Sequence, residues 1–548
     1  MELIVTDAVI VTMATGAGGA PRNGADAGAS GADSMLVSGG RIAAIGSAGQ
    51  IRAAASPGAA VARLGGATVV PGLIDAHCHV ADVGYLAAGA DCSQPSAPGI
   101  QAIQARLAEA ATRTPAASWV TGSGYVEYQL AENRHPTRAD LDQAVPDRPA
   151  VLYHTSLHAC VLNTAALREA GFEDGEPDPP GGKFGRDSEG RLDGVLFEAP
   201  VFALFERNFR HDLGQLDAAQ RIRLVASAQD YFARLGVTAA CDADIRRDTL
   251  TAFAEADDAG VLSQRIYGLV VHDQLDWLAS SGLRGRRSGR LTADAVKIWS
   301  DGGMSSRTAA IHGSYPVPPY GSGILFFEPV ELTSMVRDFD SRGFQVCIHA
   351  QGDRAIETVL DAFATVLPEP GSNPRRHRIE HGGAMYPPLV ARAAELSIVV
   401  VSQPGFFSTL GDGFAAAFGD RSGLLYPFGS WQQAGIVAAG SSDAPVITAD
   451  PLLGIRDAVL RRTAGGQVLG QKECLTARDA LTLYTRGSAF AMHREDELGS
   501  LEPGKLADFV VLDGNPLATE PAKISDIKVL ATVINGTPVY QADRLIPE

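Results

Sequence analysis

Two histidines one residue apart stand near the end of an apolar run, VVPGLIDAHCHV at 69–80. In a strand, residues i and i+2 share a face, so His77 and His79 project together while Cys78 points away. Two neutral imidazoles held side by side suit a single divalent metal ion. The same spacing also serves a pair of hydrogen-bonded core histidines, so the pair alone leaves both uses open.

Partners of matching chemistry recur downstream, each in an apolar segment followed by Gly or Pro. AVKIWSDGG (295–303) carries Lys297, FQVCIHAQGDRA (344–355) carries His349, RHRIEHGG (376–383) carries His381 and IVAAGSSDAPV (436–446) carries Asp443. Each polar residue lies in or near the C-terminal end of its run. In a parallel α/β barrel those strand ends form the active-site face, so four His, one Lys and one Asp converge there.

This set resembles the amidohydrolase superfamily over nearly the whole chain. The segments VKIWSDGGMSSRTA, HAQGDRAI, HRIEHG, GSSDAPV and GSLEPGKLADFVVLDGNP are similar to the branch called amidohydrolase family 3, which includes N-substituted formamide deformylases. The resemblance implies a TIM-type (β/α)8 barrel whose metal ligands are His77, His79, Lys297, His349, His381 and Asp443. Lys297 would be carboxylated, because an ammonium is a poor ligand whereas a carbamate offers two oxygens that bridge two metals. The implied cofactor is Zn2+ or a related divalent ion, one or two per chain. A metal lowers the pKa of bound water to about 7; Asp443 would take the proton as hydroxide attacks a carbonyl and pass it to the leaving nitrogen. The bland uses remain open: a buried ion pair with Asp301 for Lys297, and a helix N-cap for Asp443.

The expected reaction is hydrolysis of a non-peptide C–N bond, with an N-substituted formamide or small N-acyl amine as substrate. The alternatives are a deaminase or cyclic-amide hydrolase on the same scaffold, and a catalytically silent binding or regulatory relative. His158 and Asn163 in SLHACVLN match a pattern of the branch, and Tyr125, Trp299, Met304 and Arg307 lie near strand ends. His158 and these last four are candidate substrate contacts, each with structural packing as its other use. His135, His211, His272, His312, His377 and His493 have no convergent placement and are read as ordinary residues.

The elements that must position these residues exceed one barrel. At 548 residues the chain is longer than a barrel of about 250 residues. LIVTDAVIVTM and MLVSGGRIAAIG at one end, and ADFVVLDG and KVLATVINGTPVY at the other, read as strands. The expected organisation is a small β-sandwich domain from 1–70 and 497–548 beside a barrel over 71–496. Roughly 150 residues separate barrel strand one from GVTAACDA (236–243), too many for one βα connection, so an insertion after strand one, about 84–232, is expected over the active-site mouth. A Gly/Ala-rich stretch at 14–34 reads as a surface loop. CLTARDALTLYTRGSAFAMH (474–493) has helical apolar spacing with a Thr476/Asp479 capping pattern.

A formal charge of −17 argues against nucleic-acid and membrane-surface partners, which attract cationic patches. The expected partners are a small-molecule substrate and, at most, a second copy of the chain as a homodimer. No apolar run approaches the length of a spanning helix, and the first residues alternate like a strand, not like a signal peptide. Six cysteines without CxxC spacing read as reduced thiols, and the expected location is cytoplasmic.

Overall fold

The computed structural model describes residues 2–14, 32–94, 96–285, 289–316 and 321–547. The surface loop expected at 14–34 falls mostly outside the described residues.

Eight parallel strands form the central sheet: β1 (Leu73–Cys78), β2 (Val237–Ile245), β3 (Arg265–Val271), β4 (Leu291–Trp299), β5 (Gln345–Ala350), β6 (Arg378–His381), β7 (Val399–Ser402) and β8 (Ala438–Gly440). Each pairs in parallel with the next in sequence. The seam between β8 and β1 is bridged just past the strand ends. There the Asp443 N–H donates to the His77 carbonyl at 2.8 Å, and the His79 N–H donates to the Ala444 carbonyl at 2.7 Å. The bonds that close the TIM-type barrel therefore run through three of the candidate ligands.

Strands β1, β3 and β5 are buried at every position. Helices cover their outer faces while side chains fill the interior, which is why parallel strands read as near-continuous apolar runs. The helix Asp353–Ala364 after β5 shows the matching pattern: Ile356, Val359, Leu360 and Phe363 are buried at helical spacing.

Between β1 and β2 lies a second, six-stranded sheet. Its order is Gly182–Arg186, Leu192–Glu198, Ala159–Leu162, Ala150–His154, Val120–Tyr125 and Ala90–Asp91. It has its own apolar core, with Ile103, Leu107, Val120, Leu141 and Leu152 buried together. Two helices, Ala199–Gly214 and Ala218–Arg234, lead from it back to β2.

The chain ends share one apolar core in which Val5, Met35, Val37 and Val69 pack with Phe509, Val511 and Val533. Thr68–Pro71 pairs antiparallel with Phe509–Leu512. The terminal hairpin turns through Asn535 and Gly536, both at positive φ (53° and 75°), the combination a two-residue type I′ turn requires. A buried ion pair ties this unit to the barrel, where Arg265 at the start of β3 meets Asp508 at 2.9 Å. All six cysteines are unpaired, and no described helix is long and apolar enough to cross a membrane.

Candidate metal centre

His77 ends β1 and His79 follows it, and both line one cavity at the C-terminal face of the barrel, as do Lys297, His349, His381 and Asp443. The ligand atoms of His77, His79 and Asp443 lie within 4.8 Å of one another. Asp443 Oδ1 is 3.3 Å from His77 Nε2 and 3.2 Å from His79 Nε2. The imidazoles form a continuous arc. Ring centroids are 5.7 Å apart from His79 to His77, 4.8 Å from His77 to His381 and 4.5 Å from His381 to His349.

Fixed acceptors determine which nitrogen of three of these rings faces inward. His77 Nδ1 donates to Glu380 Oε2 at 2.5 Å, His381 Nδ1 to Gln403 Oε1 at 2.9 Å and His349 Nε2 to the Gly302 carbonyl at 3.2 Å. A carbonyl or carboxylate only accepts, so the proton sits on the outer nitrogen and the inner nitrogen carries a lone pair. Metal-ligating histidines are held in this way. His77 Nε2, 3.3 Å from Asp443, is moreover buried without a well-formed hydrogen bond, a costly arrangement unless another partner is supplied. These residues fit a divalent metal ion.

The electrostatics agree. Burial holds His381 down to about 3, and burial with the neighbouring His381 holds His349 well below the usual imidazole range; neutral imidazole is the ligating form. Burial pushes Asp443 up, but the His77 and His79 imidazoles beside it outweigh burial and hold the carboxyl well below its ordinary value. His381 and Asp443 both take positive φ, 71° and 59°, a strained backbone costing on the order of 1–3 kcal/mol each for non-glycine residues. The seam bond from the Asp443 N–H, and the bond from Ser402 Oγ to the His381 carbonyl at 2.8 Å, hold them there.

Lys297 is 1% exposed and its Nζ lies 4.8 Å from the centre of the Trp299 ring. Among the described residues no carboxylate reaches ion-pair distance, and burial depresses its pKa. The alternative partner, Asp301, instead accepts backbone N–H bonds from Ala310, Gln351 and Gly352 at 2.8, 3.0 and 2.8 Å. Asp443 is not a helix cap either. Asp450 caps the next helix, Pro451–Leu460.

Of the candidate substrate contacts, His158 and Trp299 line the cavity beside Leu157, Phe202, Phe205, Phe209 and Val446. Met304 lines a smaller side cavity that shares His158, His349, His381 and Asp443. Tyr125 and Arg307 line neither. Tyr125 is packed in the core of the insertion with its hydroxyl on His135 at 2.9 Å, and Arg307 pairs with Glu127 at 2.8 Å. Asn163 is structural: its Oδ1 caps the helix Thr164–Ala170 through the Ala166 N–H at 2.8 Å.

Glu380 and Gln403, which orient His77 and His381, escape the sequence reading. So does Glu198, which holds His158 Nδ1 at 2.7 Å from a backbone at φ 61°. A charged residue alternating with Arg378 inside a barrel strand is the signal that points to Glu380.

The amidohydrolase family profile matches residues 61–540. A putative amidohydrolase of Bacillus subtilis (strain 168), YtcJ, is 32% identical over 488 residues, covering 87% of this chain and 90% of that protein. An N-substituted formamide deformylase of Arthrobacter pascens is 31% identical over 519 residues, covering 93% and 95%. Among solved structures, an uncharacterized metal-dependent hydrolase from Pyrococcus horikoshii OT3 matches with a TM-score of 0.75 at 25% identity, over 95% of this chain and 99% of that one.

Proposed function

Because the chain belongs to the amidohydrolase family, and is a metal-dependent hydrolase of carbon–nitrogen bonds other than peptide bonds, we propose that its substrate is an N-substituted formamide or a small N-acyl amine. What supports this most is the cavity itself. A carboxylate touching two histidines sits at one end, and Trp299, Phe202, Phe205 and Phe209 form an apolar wall beside it. The aromatic wall suits an aromatic or aliphatic N-substituent, while Asp82, Glu206, Asp244 and Arg246 give the same cavity a charged side. The Arthrobacter relative that bears the deformylase name is consistent with that chemistry.

His77, His79, His349, His381 and Asp443, together with Lys297 as a carbamate, would hold zinc or a related divalent ion. A divalent ion in that position supplies Lewis-acid polarisation of a carbonyl and a source of hydroxide near neutral pH. The remaining steps fall to the chain. Buried and depressed in pKa, the Lys297 amine is biased toward the neutral form that reacts with carbon dioxide. Asp443, held ionised, accepts the proton of the attacking water and returns it to the leaving nitrogen. His158, oriented by Glu198, faces the same space, and the aromatic wall keeps bulk water from the reacting carbonyl.

The test is a screen of the metal-loaded enzyme against formamides, N-acyl amino acids, cyclic ureas and amino-heterocycles. Release of formate or another small carboxylate together with an amine is the expected result. Ammonia from an amino-heterocycle as the only product would replace this reading with a deaminase.

A further inference from the structure

A second constellation, unused by the chemistry above, reaches the same cavity from the insertion. Ser156 lines both the main cavity and the side cavity. Its hydroxyl lies 2.8 Å from His154 Nδ1, and His154 Nε2 lies 3.1 Å from Glu127 Oε2. Arg307 fixes the other Glu127 oxygen at 2.8 Å. His154 is 1% exposed and Glu127 7% exposed.

The proton positions follow from the donors. The Ser156 backbone N–H points at His154 Nδ1 at 3.1 Å, and a backbone N–H can only donate. His154 Nδ1 is therefore the bare nitrogen and the ring proton sits on Nε2, which lies 3.1 Å from Glu127 without a well-formed hydrogen bond to it. The Ser156 hydroxyl must also donate to Nδ1, while the His158 N–H donates to Ser156 Oγ at 3.2 Å. A hydroxyl has one donor and two acceptor sites. With its proton committed and one lone pair taken, Ser156 has one function left to offer, a lone pair.

We propose that Ser156 accepts a hydrogen bond from the N–H of a secondary amide substrate, with His154 and Glu127 as positioning residues that lock its hydroxyl as an acceptor. The inference rests on the amide-hydrolase reading and narrows it to substrates that carry an N–H on the scissile nitrogen. A site built to receive a donor loses affinity for an analogue without one, because the acceptor is then left buried and unpaired.

The experiment compares an N-aryl formamide with the isosteric aryl formate ester, which has the same shape and no N–H, in the zinc-loaded wild-type and Ser156→Ala enzymes. The alanine variant is expected to lower kcat/KM for the amide about ten- to a hundredfold while leaving the ester within about threefold. General damage to the site moves both substrates alike. His154→Asn, whose amide oxygen can replace Nδ1 as acceptor, should keep the amide preference that His154→Phe loses, so the proposal stays testable if Ser156→Ala folds poorly. Equal losses on amide and ester, or no loss on the amide, overturn the role of Ser156 while amide hydrolysis stands. A wild-type enzyme that cleaves the ester but no amide overturns the amide reading itself, and this inference with it.

Discussion

Glu380 grips His77: its Oε2 receives the Nδ1 proton of His77 at 2.5 Å while its Oε1 receives Arg378 Nε at 2.6 Å. All three side chains are buried inside the barrel. Arg378 holds the Glu380 carboxyl down to about 2 against the opposing effect of burial, with His77 assisting. One carboxylate thus both neutralises a buried arginine and fixes which nitrogen of His77 is free to ligate.

Replacing Glu380 by Gln leaves a single oxygen for two donors, Arg378 Nε and His77 Nδ1. One of them must then face an N–H, and if it is His77 the ring tautomer reverses. Metal affinity is expected to fall about ten- to a hundredfold, the usual cost of losing such a support. Titration against a competing chelator measures it, and unchanged affinity would remove Glu380 from the site. Arg378→Met, by contrast, should act on stability, costing about 3–5 kcal/mol because it strands a buried carboxylate.

Lys297→Ala is expected to abolish hydrolysis, since the variant lacks the amine that the carbamate requires. A short carboxylic acid should partly restore turnover by occupying the vacated position. Wild-type enzyme grown with 13C-labelled bicarbonate should show a carbamate resonance that the variant lacks. A Lys297→Ala enzyme of normal activity would falsify the bridging role and leave the four histidines and Asp443 to carry the site.

The barrel was legible because its strands are buried on both faces. Each therefore appears as an apolar run, and the polar residue near its C-terminal end marks the active-site side, as with Lys297, His349 and His381. Supports escaped because they act from positions that look like ordinary strand or loop residues. Glu380 sits one residue before the candidate ligand His381, and Gln403 lies past the end of β7. The insertion was readable as an insertion but not as a fold. Its mixed strand order sends Tyr125 into a core and brings Glu127 up to His154 and Ser156 from a separate segment. Nothing in local periodicity encodes that meeting.

Elemental analysis of enzyme purified without chelator should find one or two divalent ions per chain, zinc foremost, given three tautomer-fixed imidazoles and a carboxylate. Chelation should remove activity, and added metal should return it. It should also lower the thermal midpoint, because ions that bind only the folded chain stabilise it by mass action. Metal below about a tenth of an equivalent, with activity indifferent to chelators, would sink the metalloenzyme assignment.

His377, remote from the cavity, sets a pH limit on stability. Its ring stacks on Phe363 at 5.4 Å between centroids, its Nδ1 accepts the Val346 N–H at 3.0 Å, and its Nε2 lies 3.1 Å from Asp340. Protonating Nδ1 would break the bond to Val346. Burial holds the folded-state pKa at about 4, against the opposing pull of Asp340, whereas the ordinary value is 6.5. Between those values the unfolded chain binds more protons than the folded protein, so stability falls as pH falls. The contribution is complete above about pH 6.5 and is lost as pH drops through about 4, at most on the order of 3 kcal/mol. His377→Asn supplies an acceptor for Val346 without a titrating group. Denaturant unfolding of both proteins at about pH 7.5 and about pH 5 should show the wild type losing more stability than the variant across that interval. Parallel losses would mean that His377 titrates alike in the folded and unfolded chain and that other groups govern the acid limb.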